Sequence, residues 1–262
     1  MVDLGTLLHH GRGLLLAYDH GFEHGLTDFN EQNIDPARIL EVASRAGVYT
    51  GIILQKGLAE KYYLPRSQIK DQPTSPLPPL IVKLNGKTSF HQEEEPYSPP
   101  LGTVEEAVML GAKAIGYTIY VGSEHEAQMM KEFSEIEKEA HRKDIVVVGW
   151  MYPRGEHVKG RETDKEVLAY AARVGLELGC DFIKIHYSGD PASFSWVVKA
   201  AGKTGVFVVG GPKTQEDQLL QMAKEIIQAG AVGLAVGRNI WQNSDSTKIS
   251  QKLAEVIFSE NT

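Results

Sequence analysis

Short apolar runs alternate with amphipathic segments along almost the whole chain. The apolar runs carry few charges, which is typical of strands whose two faces are both covered by helices. Alternation of such strands with helices is the pattern of parallel βαβ units. The predicted strands are eight runs: residues 13–18, 48–55, 80–84, 112–117, 145–150, a run that begins at 181, 205–209 and 231–236. Eight such units favour a closed (β/α)8 TIM barrel over an open doubly wound sheet.

The segments between the apolar runs carry helix signals. Asp35 before Pro36, and Thr103 followed by Glu106, are both typical of helix starts. The predicted helices cover residues 35–46, 58–63, 103–111, 123–143, 163–178, 190–201, 215–228, 239–242 and 246–258. Two proline-rich stretches are predicted to be irregular surface loops, residues 65–79 and 91–100. No segment resembles an interdomain linker, so we predict a single barrel domain over residues 1–262.

Composition narrows the classes of function. The 262 residues carry a formal net charge of −7, which argues against a general nucleic-acid-binding protein. No apolar run approaches membrane-spanning length, and residues 1–11 lack the pattern of a signal peptide. Cys180 is the single cysteine, so an intrachain disulfide is impossible, which suits the reducing cytoplasm. Because Cys180 precedes a buried strand, we expect it to pack rather than to act as a nucleophile.

The sixth apolar run contains a lysine. Strand alternation places Lys184 on the same face as Phe182 and His186. A buried ammonium group is costly, so such a lysine tends to lose its proton or to find a partner. A neutral lysine amine is a nucleophile that forms Schiff bases with carbonyl compounds. Pairing with a carboxylate from a neighbouring strand explains this residue equally well when it is considered alone.

Polar residues follow several of the other predicted strands. In a barrel the C-terminal ends of all strands meet on one face, where barrel enzymes hold their active sites. The residues concerned are Asp19, His20, Lys83, Asn85, Tyr152 and Arg154. Each one has an ordinary structural explanation, such as a turn cap, a packed aromatic ring or a surface charge. Their common location favours an active site.

The loops after strands seven and eight carry Gly210-Gly211 and Gly237-Arg238. Glycine lets backbone N–H groups approach a phosphate closely, and these two loops form a recurrent phosphate site in barrels. Arg238 would add a charge-assisted hydrogen bond. Tight turns alone would also explain the glycines, but their occurrence in both loops favours phosphate binding.

An amine, a carboxylate, a phenol and a phosphate site together predict Schiff-base carbon–carbon chemistry on a sugar phosphate. Lys184 is the predicted nucleophile, and the neighbouring Phe182 and Lys83 would lower its pKa. Asp19 and Tyr152 are candidates for the base and the acid that the reaction requires. The predicted chemistry uses no metal and no other cofactor.

Two of the nine histidines have the spacing of a helical metal pair. His20 and His24 are four residues apart. Gly21 lies between them and disfavours a helix at this place. We therefore do not expect His20 and His24 to form a helical metal pair, and we predict no metal site.

Seven motifs spread over nearly the whole chain resemble those of archaeal-type class I fructose-1,6-bisphosphate aldolases. The motifs are residues 17–25 (AYDHGFEHG), 83–88 (KLNGKT), 116–120 (GYTIY), 150–155 (WMYPRG), 184–191 (KIHYSGDP), 210–214 (GGPKT) and 237–239 (GRN). They follow one another in the order found in that family. The resemblance is therefore far more specific than any single motif.

The resemblance implies a (β/α)8 barrel with a sugar-phosphate substrate and no cofactor. The family cleaves fructose 1,6-bisphosphate reversibly to dihydroxyacetone phosphate and glyceraldehyde 3-phosphate, in glycolysis and gluconeogenesis. It also implies a large homo-oligomer, an octamer or a decamer. Two alternatives stay open: an aldolase of the same family that acts on a different ketose phosphate, and a non-catalytic barrel that binds a sugar phosphate.

The motifs also imply roles for individual residues. Lys184 matches the Schiff-base lysine, Tyr152 the proton-transfer tyrosine and Asp19 the residue that handles the C4 hydroxyl. The predicted substrate-binding residues are Lys83, Trp150 in the substrate channel, Arg154 for the second phosphate, and Gly210, Gly211, Gly237 and Arg238 in the phosphate loops.

The chain departs from the family pattern at three places. Val209 stands where the family often has a serine, which removes one side-chain ligand for phosphate. His186 has no role that the resemblance supplies. The loop over residues 65–79 is longer than in archaeal relatives. These departures bear on phosphate affinity and sugar preference and leave the predicted chemistry intact.

Overall fold

A computed structural model describes residues 2–63, 76–91 and 93–259. The predicted loop over residues 65–79 lies mostly outside this range. The four described residues of that loop, 76–79, have no regular structure and lead directly into the third strand.

Eight parallel strands form a closed barrel in sequence order, which confirms the predicted (β/α)8 fold. The strands are β1 (Gly13–Tyr18), β2 (Gly51–Gln55), β3 (Leu80–Lys83), β4 (Ala114–Val121), β5 (Val146–Pro153), β6 (Phe182–Ile185), β7 (Gly205–Val209) and β8 (Gly233–Val236). The ring closes where β1 pairs with β8, with Leu14 opposite Leu234. All strand ends of one polarity therefore meet at one mouth.

Helices surround the barrel and connect its strands. They are α1 (His20–His24), α2 (Pro36–Ala46), α3 (Lys56–Leu58), α4 (Val104–Met109), α5 (Glu126–Arg142), α6 (Lys165–Glu177), α7 (Pro191–Ala201), α8 (Glu216–Gln228), α9 (Arg238–Trp241) and α10 (Ser246–Phe258). The predicted helix starts are confirmed: Asp35 accepts a hydrogen bond from the N–H of Ala37, and Thr103 forms a capping box with Glu106. No helix in the described part of the chain is long and apolar enough to cross a bilayer.

Several predicted strand limits were wrong. The strands β4 and β5 continue beyond residues 117 and 150, because they pair with each other all the way to Val121 and Pro153. Residues 20–24, for which no helix was predicted, form the short helix α1 although it contains Gly21. A glycine costs a helix only about 1 kcal/mol, and the ring of His20 packs edge-on against Trp241, 5.4 Å between centroids.

The hydrophobic core has two layers. The outer layer fills the space between strands and helices, and the inner layer fills the barrel itself. Leu7, in a 3-10 helix over Leu4–Leu7, belongs to the inner layer together with Phe182 and Phe207. Because alternate strand residues face the barrel axis, Lys184 shares the inner face with Phe182. Apolar side chains thus occupy the barrel interior beneath the polar groups at the mouth.

Candidate active site

A cavity of about 280 Å³ opens at the C-terminal ends of the strands. Its walls contain all ten residues that the sequence predicted for the site: Asp19, Lys83, Trp150, Tyr152, Arg154, Lys184, Gly210, Gly211, Gly237 and Arg238. The walls also contain residues without a predicted site role: Ala17, His20, Glu23, His24, His186, Val209, Pro212 and Ala235. The fold therefore brings together positions that are more than 200 residues apart in the chain.

Lys184 lies on β6 at the centre of this cavity and is 4% exposed. Its Nζ is 4.8 Å from the centroid of the Trp150 ring on the neighbouring strand. Burial, which Asp19 and Glu23 oppose and the charge of Lys83 reinforces, lowers the pKa of Lys184 to about 8. With this pKa, about a tenth of the Lys184 side chains are neutral at pH 7. For a lysine with an ordinary pKa the neutral fraction is far less than a hundredth.

A carboxylate partner was the alternative explanation for Lys184. Among the described residues, it is Lys83 that has such a partner. The Nζ of Lys83, on β3, pairs with Glu23 and lies 3.9 Å from Asp19 Oδ2. Burial alone would raise the pKa of Asp19, but the positive charges of Lys184 and Lys83 lower it to about 2. Asp19 is therefore a stable anion in the unliganded site.

Glu23 is a site residue that the sequence analysis did not identify. It accepts the hydrogen bond of Lys83, and the hydroxyl of Tyr120 lies 3.5 Å from its other oxygen. The signal was present, because Glu23 follows Asp19 by four residues and lies in a motif of the resemblance. A helix at this place would have put both carboxylates on one side, but Gly21 argued against that helix.

Tyr152 lies on β5, opposite Tyr120 of β4. Burial in the cavity, together with the negative charges of Asp19 and Glu23, holds the pKa of Tyr152 well above its ordinary value. The phenol therefore stays protonated and is suited to donate a proton. Its ring lies 5.0 Å from that of His186, centroid to centroid.

Trp150 forms one wall beside Lys184 and is 1% exposed. Among the described residues its indole N–H has no hydrogen-bond partner. The ring fits against the backbone of Gly116 on β4, where any Cβ would overlap the indole. Gly116, which the sequence analysis did not single out, thereby positions this wall of the cavity.

The two glycine loops lie side by side and are joined by Asn239. Its side-chain amide donates to the carbonyl oxygens of Gly210 and Pro212, at 2.8 and 3.0 Å. Its amide oxygen accepts from the N–H of Thr214 at 2.8 Å. Close packing accounts for Gly237, because a Cβ there would lie 2.5 Å from the His20 ring. Gly211 has a φ of +68°, which favours glycine, so packing and turn geometry account for glycine at these two positions.

Two arginines, Arg154 and Arg238, line the cavity and also the second cavity beside it. Arg238 Nη1 is 3.5 Å from Asp28 Oδ2, and the Nε of Arg238 has no partner among the described residues. Arg154 lies with its guanidinium 5.3 Å from the centroid of the Tyr120 ring. It also faces the second cavity, of about 600 Å³, whose walls contain Lys87 and several carboxylates. Burial and the charge of Arg154 lower the pKa of Lys87, while Glu23 and Glu94 act in the opposite direction.

The two histidines of α1 lie against each other beside the cavity. The rings of His20 and His24 are 5.1 Å apart, edge to face. Burial lowers the pKa of His20 to about 3 although Asp19 opposes this shift. Within the described residues, no group of three His, Cys, Asp or Glu side chains is arranged to hold a metal ion.

Comparison with known proteins agrees with this arrangement. Residues 14–243 match the model of the DeoC/LacD family of aldolases. A fructose-bisphosphate aldolase class 1 from Thermoproteus tenax is 48% identical over 251 residues, 95% of this chain and 90% of the relative. A protein from Methanocaldococcus jannaschii, described as a fructose-bisphosphate aldolase/6-deoxy-5-ketofructose 1-phosphate synthase, is 37% identical and spans 88% of this chain and 76% of the relative.

A solved structure is also similar to this chain in sequence and in fold. An archaeal fructose-1,6-bisphosphate aldolase, described with its catalytic lysine covalently bound to the carbinolamine intermediate of the substrate, is 46% identical. The two folds superpose with a TM-score of 0.89 over 97% of this chain and 98% of that one. Family model, sequence identity and fold agree over nearly the full length. The chain therefore belongs to the DeoC/LacD family of aldolases and, within it, to the class 1 fructose-bisphosphate aldolases.

Proposed function

We infer that the protein is a class I fructose-1,6-bisphosphate aldolase, which cleaves its substrate reversibly through a Schiff base. The observation that carries this conclusion is Lys184, a lysine buried at the centre of the cavity with its pKa lowered to about 8. The products are dihydroxyacetone phosphate and glyceraldehyde 3-phosphate. Class I chemistry of this kind uses the lysine, and not a metal ion, to activate the ketone.

The neutral Nζ of Lys184 attacks the C2 carbonyl of the open-chain sugar and forms a carbinolamine. The carbinolamine takes up a proton from solvent, which the final hydrolysis returns, and loses water to give a protonated iminium ion. This ion draws electrons from the neighbouring C3–C4 bond. When that bond breaks, its electron pair neutralises the iminium nitrogen and leaves an enamine. The aldehyde half of the sugar departs at this step.

We assign Asp19 as the base that takes the proton of the C4 hydroxyl. Its pKa is low in the free site chiefly because Lys184 and Lys83 oppose the effect of burial. Bond cleavage removes the positive charge on the Lys184 nitrogen. The basicity of Asp19 therefore rises at the step that requires it.

Tyr152 is proposed as the acid that protonates C3 of the enamine. Its high pKa keeps the phenol protonated until a carbanion-like carbon forms beside it. The proton held by Asp19 then returns to the Tyr152 oxygen, and water hydrolyses the second iminium ion. Lys184, Asp19 and Tyr152 leave the cycle in the states in which they entered it.

We propose that the two phosphates bind at the two ends of the cavity. The C1 phosphate would lie on the backbone of Gly210, Gly211 and Gly237 with the guanidinium of Arg238. The C6 phosphate would lie between Arg154 and Lys87, whose mutual repulsion an anion relieves. Val209 supplies no hydroxyl to the first site, so backbone N–H groups and Arg238 have to provide that affinity.

Aldolase activity on a different ketose phosphate is the second candidate. The Methanocaldococcus jannaschii relative, whose description includes 6-deoxy-5-ketofructose 1-phosphate synthase, favours considering it. The two arginines that line the cavity, Arg154 and Arg238, favour a bisphosphate instead. A non-catalytic barrel would have no need of a buried lysine with a lowered pKa.

Reductive trapping tests the proposal. Borohydride added with dihydroxyacetone phosphate should fix the substrate to Lys184, and peptide mass spectrometry should locate the adduct there. Lys184→Ala should give no adduct and should lose aldol cleavage by several orders of magnitude. Lys56→Met, which alters a lysine paired with Glu106 outside the cavity, should give the same adduct as the wild type. An unmodified Lys184 in the wild type would contradict the proposal.

We also propose a cytoplasmic homo-oligomer, an octamer or a decamer. The cytoplasm is supported by the single cysteine, Cys180, which is buried and reduced. The assembly is supported by large aromatic side chains that two outer helices expose, Tyr170 and Trp196.

A further inference from the structure

His186 lines the cavity but has no role in the mechanism proposed above. It follows the end of β6 and lies two residues beyond Lys184. Its half-buried ring packs against Tyr152, with 5.0 Å between the centroids and an angle of 36° between the planes. Arg154 lines the same cavity, and its positive charge lowers the pKa of His186.

The position of His186 along the substrate follows from its neighbours. Lys184 bonds to C2, and the C6 phosphate is assigned to Arg154. The ring of His186 packs against Tyr152, which is assigned to protonate C3, and it lines the cavity together with Arg154. A side chain beside the acid at C3, in the same cavity as the cation assigned to the C6 phosphate, faces the carbons that leave as the aldehyde.

The chemistry of the ring indicates what it contacts. Burial, together with the charges of Arg154 and Lys184, lowers the pKa of His186 to about 4. At neutral pH the imidazole is uncharged and offers one donor and one acceptor. Such a group is suited to a hydroxyl, which both accepts and donates a hydrogen bond, and is poorly suited to a phosphate.

We propose that His186 is a specificity-determining residue that binds the hydroxyl next to the aldehyde carbon of glyceraldehyde 3-phosphate, which is the C5 hydroxyl of fructose 1,6-bisphosphate. The inference rests on the proposed function, because the bond to Lys184 sets the position of the substrate. The inference predicts that the enzyme prefers 2-hydroxyaldehydes to aldehydes without this hydroxyl, and that His186 causes the preference.

Condensation with two aldehydes tests the inference. Dihydroxyacetone phosphate is combined either with glyceraldehyde 3-phosphate or with 3-phosphonooxypropanal, which lacks the hydroxyl. The wild type should favour the hydroxylated aldehyde in kcat/KM by about tenfold, the value of one hydrogen bond to a buried partner. His186→Phe keeps a flat ring against Tyr152 and should lose this preference by slowing the hydroxylated aldehyde alone. His186→Gln, which retains a donor and an acceptor, should restore part of it.

Equal loss with both aldehydes in His186→Phe would show that the ring only supports Tyr152 and would overturn the inference. A wild type without the preference would overturn it as well. His125→Phe, which changes an exposed histidine outside both cavities, should leave the preference unchanged. Trapping of dihydroxyacetone phosphate on Lys184 should persist in His186→Phe. Failure of trapping in the wild type would instead refute the proposed function.

Discussion

Two buried lysines, Lys83 and Lys184, line the same cavity but differ in the charges around them. Lys83 is paired with the carboxylate of Glu23, so its ammonium group has a fixed counter-ion. Lys184 lies against the Trp150 ring, and burial lowers its pKa to about 8. Lysines on β3 and β6 of one barrel thus have different surroundings. Lys83 has a carboxylate partner, whereas burial lowers the pKa of Lys184, as the proposed nucleophile requires.

Removing the charge of Lys83 should change the pH dependence of Schiff-base formation. In Lys83→Met the cation that lowers the pKa of Lys184 is gone, and the carboxylates of Asp19 and Glu23, which raise it, are left unpaired. The pKa of Lys184 should therefore rise by about one unit or more. Because only the neutral amine attacks, the rate of trapping with dihydroxyacetone phosphate should reach its half-maximum at a correspondingly more alkaline pH.

The matched control is Lys56→Met, which removes a lysine from an ion pair with Glu106 outside the cavity. Its pH profile should coincide with that of the wild type. A shift of the Lys83→Met profile toward acid, or no shift, would show that Lys83 does not set the charge state of Lys184.

At the scale of the elements, neighbouring strands shape the cavity through small residues. Gly116 of β4 leaves the space that the large indole of Trp150 on β5 occupies. Gly237 after β8 leaves space for the ring of His20 after β1. Sequence motifs contain these glycines, but the contacts join different strands. Only the closed barrel shows which side chain each glycine accommodates.

A methyl group at residue 116 should therefore displace Trp150. Gly116→Ala places a Cβ inside the indole ring, and the strands have to move or the ring has to rotate into the cavity. Overpacking of this kind costs roughly 1–3 kcal/mol. We expect a lower midpoint in thermal unfolding and a lower kcat/KM for cleavage of fructose 1,6-bisphosphate.

Gly57→Ala is the control for this substitution. Gly57 lies in α3, and a Cβ there would meet nothing within 4 Å. The change should be neutral or stabilising by roughly 0.4–1 kcal/mol and should leave cleavage unaffected. Wild-type stability and activity in Gly116→Ala would contradict the packing that we describe for Trp150.

At the scale of the whole molecule, the outer helices expose large apolar side chains. Tyr170 on α6 is 65% exposed and Trp196 on α7 is 47% exposed. The two helices pack against each other, so both side chains belong to one side of the barrel. Aromatic residues are enriched at protein–protein interfaces, which supports the proposed homo-oligomer.

Light scattering coupled to size-exclusion chromatography tests this assembly. The wild type should elute with the mass of eight or ten chains, as the family resemblance implies. A double variant with Tyr170→Lys and Trp196→Lys should be smaller, because lysine ammonium groups resist burial. Met109→Lys, at a residue of α4 that is 75% exposed, should keep the wild-type mass. A monomeric wild type would refute the assembly.

The sequence by itself determined the barrel and most of its mouth. Apolar strands, capped helices and motifs after the strands are local properties, so they predicted eight βα units and a common site for Lys184, Asp19 and Tyr152. The sequence did not predict where β4 and β5 end. Their ends depend on pairing between two strands, and a polar residue such as Tyr152 is compatible with either a strand or a loop.

Tertiary structure alone decided the charges and contacts within the site. That Lys83 rather than Lys184 is paired depends on where α1 places Glu23, and the position of that carboxylate is set by packing against distant residues such as Trp241. The neighbours of His186 likewise come from another strand. A pKa depends on the surroundings of a group in space, and a sequence lists only its neighbours along the chain.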